Sequence, residues 1–177
     1  MFKSTLTSEE TGNFQKIHNT LIPKRKKQYE TFQIFNATSR VAGKKKENYT
    51  LTKPVLDKAI DILKQNNITD FDAKFYSLEF HQRNCGFEKK PYQLFSWHQD
   101  DGGATSYRVH TVIFYIRKDI AVKDGNLEYK IGKDKFTHIV KEADILSFKG
   151  DIQHKPQPTS GFGCRDIIVC FIKRTGK

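Results

Sequence analysis

Cysteine is scarce in this chain. Cys85, Cys164 and Cys170 are an odd number, and no two of them stand in a C-x-x-C pair. That excludes a disulfide scaffold and the paired spacing of a structural zinc site, and it fits free thiols in a reducing compartment. Long apolar runs are missing as well. No window reaches the roughly 18 apolar residues of a membrane helix. Met1-Phe2-Lys3-Ser4-Thr5 lacks the apolar core of a signal peptide. The expected location is therefore intracellular, with no membrane partner. Internal repeats and low-complexity stretches are absent, which excludes a solenoid. Acid is in short supply too: 20 Asp and Glu stand against 31 Lys and Arg, a net charge of +11. The excess gathers at Lys24-Arg25-Lys26-Lys27 and Lys44-Lys45-Lys46. Such clusters serve either as a solvated basic face or as a contact surface for nucleic acid.

What is present suits one globular domain. The 177 residues are 37% hydrophobic and 29% charged, enough apolar matter for a core and too much for a disordered chain. The order of elements divides it into a helical support region over 1–70 and a β core over 71–177. Thr7-Ser8-Glu9-Glu10 reads as a helix start, a hydroxyl cap followed by acids in the first turn. Phe14, Ile17 and Leu21 continue it at helical spacing, and Pro23 ends it. Tyr29 to Phe35 alternates like a strand, and 36–50 reads as a loop. A second helix is expected from Thr52-Lys53-Pro54, with proline in its first turn, to Gln65-Asn66-Asn67.

After Phe71 the period changes to that of strands. Ala73–Phe80 and Tyr92–Trp97 come first, with a loop opening at Arg83 between them. Arg108–Arg117 is long and apolar and is expected to be buried on both faces. Asp124-Gly125 is a turn signal before Leu127–Ile131. Phe136–Val140, Ala143–Phe148 and Arg165–Ile172 follow. About eight short strands after two helices predict a mainly β fold, a double-sheet jelly roll.

The chemistry gathers where the run Tyr92 to Trp97 breaks into His98-Gln99-Asp100-Asp101-Gly102-Gly103. On an extended segment His98 and Asp100, two residues apart, leave the same face. His154 lies 54 residues beyond Asp100, shortly after Gly150. Two histidines and one carboxylate form the facial triad of non-haem Fe(II) oxygenases, which leaves coordination positions open. His98, Asp100 and His154 are thus the expected metal ligands. His18, His81, His110 and His138 are read as structural, and Trp97 as core or as a flank of the site.

Together His98-x-Asp100, His154 and Arg165 resemble the Fe(II)- and 2-oxoglutarate-dependent dioxygenases with a double-stranded β-helix core. Within them the chain is most similar to the prolyl-hydroxylase-like branch. The run Val112-Ile113-Phe114-Tyr115-Ile116-Arg117-Lys118-Asp119 resembles its strand after H-x-D. Asp124-Gly125-Asn126-Leu127 resembles its Gly-Gly-x-Leu turn, and Asp144 to Phe148 the strand before its second histidine. The resemblance spans roughly 92–174. It departs from the family in Asn126, where glycine is common, and in Arg165, which lies eleven past His154 where nine or ten is usual. The resemblance implies Fe(II), 2-oxoglutarate and O2, with ascorbate in support. It implies Arg165 as the clamp on the distal carboxylate of 2-oxoglutarate, since a planar guanidinium stays charged when buried. Tyr115 is implied at the same carboxylate, with Tyr92 a further candidate nearby. The expected reaction hydroxylates a C–H bond, most readily of a protein side chain, releasing succinate and CO2. Two alternatives stay open: oxidation or demethylation of a nucleic acid base, and a non-catalytic basic jelly roll that binds nucleic acid.

Overall fold

The computed structural model describes residues 1–22, 29–36, 46–85, 96–102 and 107–175. Its elements are β1 (Phe2–Thr5), α1 (Ser8–Leu21), β2 (Tyr29–Asn36), α2 (Lys46–Gln65), β3 (Phe71–Cys85), β4 (Val109–Lys118), β5 (Val122–Asp124), β6 (Leu127–Ile131), β7 (Asp134–His138), β8 (Asp144–Lys149), β9 (His154–Pro156), β10 (Thr159–Gly161) and β11 (Gly163–Arg174). Six strands build the larger sheet in the order β1-β8-β4-β11-β3-β2, antiparallel throughout. The smaller sheets are β7-β6-β9 and β10-β5. Side chains of the larger sheet and of the segments around β6 and β9 line one cavity between them. The architecture is the expected jelly-roll core, mainly β with two helices.

Strand alternation decides what each face of the larger sheet does. On one face Leu78, Phe80, Val112, Phe114, Ile116, Ile168, Cys170 and Ile172 pack against Phe14 and Ile17 of α1 and Val55, Ala59, Ile62 and Leu63 of α2. Phe14 meets Phe114 edge to face at 5.3 Å between ring centroids. The opposite face carries Ile113, Tyr115 and Val169 toward the cavity. The first eight residues of β4 are therefore buried, on both faces as expected. Helix α1 begins where its sequence predicts. Thr7 N donates to Glu10 Oε2 at 2.8 Å and Glu10 N donates to Thr7 Oγ1 at 3.2 Å, a reciprocal cap. His18 on its inner face is fully buried beside the His81 carbonyl, 3.1 Å away, and burial pushes its pKa down to about 4.

Several expectations are corrected. Helix α2 starts at Lys46, inside the segment read as loop, and Pro54 lies within it. Pro54 and Thr50, whose carbonyl loses its partner to the proline, are both exposed, so solvent meets that carbonyl. The region before residue 70 adds an unexpected strand, β1, to the expected one at Tyr29–Phe35, which is β2, and the two close the edges of the larger sheet. Strand β3 runs on to Cys85 through the expected loop start at Arg83. Asp124-Gly125, by contrast, is the expected turn, with positive φ at both residues (59° and 69°). It passes the chain from β5, which pairs with β10, to β6, which pairs with β7 and β9. Thr159–Gly161, to which no element was assigned, forms the short strand β10. Among the described residues no helix is long and apolar enough to cross a membrane.

Candidate active site

The three expected ligands meet through backbone pairing. His98 N donates to His154 O at 3.0 Å and His154 N donates to His98 O at 2.9 Å. Residues that exchange both bonds across an antiparallel pair face the same side, and the two imidazole centroids stand 4.2 Å apart. Asp100 is fixed next to them by Gly150, whose carbonyl accepts from Asp100 N at 2.8 Å and Asp101 N at 3.2 Å. Only glycine fits there: a Cβ on Gly150 would run into Asp101 Oδ1 and come within 2.7 Å of Val109 Cγ2.

The ligand atoms then converge. Asp100 Oδ1 lies 3.9 Å from His98 Nε2 and 3.5 Å from His154 Nε2, and one atom from each of the three residues falls within 4.8 Å of the others. Ligands bound at about 2.1 Å to one ion stand about 3–3.5 Å apart, so a small contraction completes the site. Tautomers are set for the task. His98 Nδ1 donates to Ser96 O and His154 Nδ1 to Ile152 O, each at 3.0 Å, which leaves both Nε2 lone pairs turned inward. Thr111 Oγ1 donates to Asp100 Oδ2 at 2.6 Å, so Oδ1 is the oxygen left for an ion. Burial holds the pKa of His154 below the ordinary imidazole value despite Asp100, which favours the neutral form that binds metal.

The ligands open into the cavity between the sheets, about 140 Å³ in volume. Arg165 and Tyr115 line it, 3% and 3% exposed. Arg165 Nη1 donates to Gly125 O at 2.5 Å. Gly125 has φ +69°, and a Cβ there would lie 2.7 Å from Arg165 Nη1. The turn resembling a family motif therefore has a local cause: its backbone approaches the arginine too closely for a side chain. Burial pushes the Tyr115 hydroxyl up to about 12, with Arg165 opposing, so it stays protonated at neutral pH. Thr111 and Ile113 face the same cavity, as their alternation with Tyr115 predicts.

Other expectations fare differently. Tyr92 lies outside the described residues, and so do the basic clusters at 24–27 and 44–45 and the side chain of Lys46. Trp97 is half-buried and not core; its ring lies under Lys130 Nζ at 4.5 Å and Lys135 Nζ at 5.1 Å. His18 and His110 are buried and structural, with His110 Nε2 2.9 Å from Asp70 Oδ1. His138 is held by Asp144 at 2.9 Å. His81 is the exception, because it lines the cavity together with Glu79 and Arg83 of β3. These three were missed. Their signal was present, polar residues at every second position around Leu78 and Phe80, but a strand expected to end at Phe80 stops short of His81 and Arg83 and leaves Glu79 as a lone polar residue at its end.

Neither the known protein-family models nor the curated proteins match this sequence. Solved structures do match its fold. A prolyl-4-hydroxylase from Pseudomonas putida superposes with a TM-score of 0.65 at 10% identity, over 99% of this chain and 92% of the other. A 2OG-Fe(II) oxygenase family oxidoreductase from Burkholderia pseudomallei superposes with a TM-score of 0.69 at 12% identity, over 97% and 84%. The chain thus shares the fold of these solved structures, and a His-Asp-His group lines its cavity.

Proposed function

We propose that the protein is an Fe(II)- and 2-oxoglutarate-dependent dioxygenase that hydroxylates a C–H bond of a protein side chain and releases succinate and CO2. One observation carries this reading: His98, Asp100 and His154 converge at a cavity that also holds the buried Arg165 and Tyr115. A plain metal site has no use for that arginine. Two imidazoles and a carboxylate, with no thiolate, suit Fe(II) and leave positions open for other ligands. When bound, the iron and 2-oxoglutarate supply the oxidising chemistry with O2, and ascorbate keeps the iron reduced.

The chain's own residues have separate tasks. His98, Asp100 and His154 hold the metal, each oriented by a hydrogen bond behind it. Arg165 neutralises the distal carboxylate of the co-substrate, and the protonated Tyr115 donates to the same group. Ile113, Leu127, Val169 and Phe171 line the remaining wall and keep water from the reacting centre. The cavity is about 140 Å³, so the acceptor presents a single group to it while the rest of the macromolecule stays on the surface.

A protein acceptor is supported by the sequence resemblance to the prolyl-hydroxylase-like branch and by a neighbour that is itself a prolyl-4-hydroxylase. A nucleic acid acceptor is the second reading, favoured by the net charge of +11. Steep loss of substrate binding with added salt would select it. The first experiment measures succinate formed from 2-oxoglutarate with Fe(II), ascorbate and O2, beside His154→Ala. Iron-dependent succinate that the substitution abolishes is the expected result. No succinate and no 2-oxoglutarate binding by folded, iron-loaded protein would leave a non-catalytic binding module.

A further inference from the structure

We propose that Arg174, at the end of the last strand, is a positioning residue for the metal site: its guanidinium bridges the two segments that carry the ligands and fixes their spacing. The inference rests on the metal reading above and adds a residue outside the cavity lining. His98 and Asp100 stand in one segment, and His154 follows Gly150 in another. Neither segment belongs to the larger sheet, so each depends on anchors to it. Arg174 anchors both. Its Nη1 donates to Asp151 Oδ2 at 3.1 Å and forms an ion pair with Asp101 Oδ2 at 3.6 Å. Asp101 adjoins the ligand Asp100, and Asp151 lies three residues before the ligand His154.

The surrounding bonds make the bridge stiff. Strand β11 is paired on both sides, by β3 and β4. Arg174 N donates to Arg108 O and Thr175 N donates to Asp70 O, each at 2.9 Å. The Arg174 side chain is 7% exposed, and its Nε faces Asp70 Oδ2 at 3.9 Å. At the far side of the bridge Asp101 Oδ1 accepts from Val109 N, the first residue of β4, at 2.8 Å. Gln99 Nε2 donates to Asp151 O at 2.5 Å, which joins the two ligand segments a second time. Three carboxylates thus gather around one guanidinium. A planar cation with donors in fixed directions serves several acceptors at once, whereas an ammonium is a point charge. Asp151 is half-exposed, so water screens its pair with Arg174. Asp101 is 16% exposed, and its pair is the stronger hold. Because Asp101 adjoins Asp100 in the chain, that hold limits rotation of the Asp100 backbone. Without Arg174 the carboxylates of Asp101 and Asp151 repel, and the segments bearing the ligands move apart.

The test loads the protein with Mn(II) or Co(II) in the absence of O2. Arg174→Gln should weaken Mn(II) binding about tenfold, the lower end of what losing a supporting partner does. It should also shift the visible absorption of the Co(II) form, which reports ligand geometry. Arg174→Lys keeps the charge and should restore part of the affinity. Arg174→Gln and Asp101→Asn should not add, since either one breaks the same pair. Arg117→Gln breaks the Arg117–Asp119 pair at the other end of β4 and should leave metal binding as in wild type. Wild-type affinity and an unchanged Co(II) spectrum in Arg174→Gln, whatever its unfolding midpoint, overturn the proposal and leave Arg174 a stabilising ion pair. Fully additive effects overturn it as well. If neither Arg174 variant folds, Asp151→Asn at its half-exposed position carries the test: weaker Mn(II) binding with a shifted spectrum supports the bridge, and wild-type values overturn it. Wild-type protein that binds neither metal would instead sink the metal reading itself.

Discussion

Thr111 and Asp100 share a hydrogen bond of 2.6 Å, from the Thr111 hydroxyl to Oδ2 of the carboxylate. Thr111 stands on the cavity face of β4, a rigid inner strand of the larger sheet, whereas Asp100 stands in an irregular segment held by Gly150. The bond transfers the strand's rigidity to the ligand. It also decides which carboxylate oxygen meets the ion. Thr111→Val keeps the shape and removes the donor. Metal affinity should fall about 10- to 100-fold, as it does when such supporting partners are lost, with little change in the unfolding midpoint. Competition against a chelator with Mn(II) or Fe(II) reads the change. Unaltered affinity would show that Asp100 needs no such support.

Gly125→Ala should damage two things at once. The residue has φ +69°, and the new methyl would lie 2.5 Å from Thr159 Cγ2 and 2.7 Å from Arg165 Nη1. Backbone strain of this kind costs about 1–3 kcal/mol. Arg165 must also move from its place at the cavity wall, so 2-oxoglutarate binding should weaken along with stability. Denaturant unfolding and ligand calorimetry on the same sample measure both. Lower stability with wild-type ligand affinity would show that Arg165 does not depend on this turn.

Phe114→Ala tests the layer beneath the site. Phe114 is fully buried on the helix face and meets Phe14 edge to face. Truncating a buried Phe costs about 3–5 kcal/mol. Urea unfolding should show that loss as a lower midpoint with an unchanged slope. A cost below about 1 kcal/mol would mean that α1 does not pack on β4 as described.

Asp166 provides a pH test. It is buried on the helix face of β11, opposite Gln82 and Arg117. Burial raises its pKa to about 7, with Asp119 adding to the rise and Arg117, Gln82 and Arg165 opposing it. An acid with a raised folded pKa binds its proton more tightly in the native state, so stability falls as pH rises from about 4 to about 7. The loss is at most about 4 kcal/mol, three pKa units' worth. Asp166→Asn should flatten this slope and make the protein more stable than wild type at pH 8. Parallel thermal-unfolding curves for the two proteins from pH 5 to 8 would refute it.

The legible parts of this chain were those with strong local signals. The cap at Thr7 and the apolar period after it marked α1, and the alternation of Thr111, Ile113 and Tyr115 marked one face of β4. Spacing, taken with the order of strands and with Arg165, selected His98, Asp100 and His154 as a group. Weak signals failed where pairing partners decide. Phe2–Thr5 has too little character to read as a strand and becomes one because β8 offers it an edge. Helix α2 runs back to Lys46 through polar residues and around Pro54, because its packed face holds the rest of it in place.

Residue types and spacings thus settled which side chains could carry chemistry, since an imidazole, a carboxylate and a guanidinium keep their properties wherever they fold. Tertiary structure alone decided which of them share a cavity. A reciprocal backbone bridge aligned two histidines 56 residues apart, and one antiparallel register set Arg83 opposite Arg165 across 82. Such pairings depend on long-range hydrogen bonding and on which face each strand turns inward. A shift of one residue would have sent Arg83 under the helices and Gln82 into the cavity.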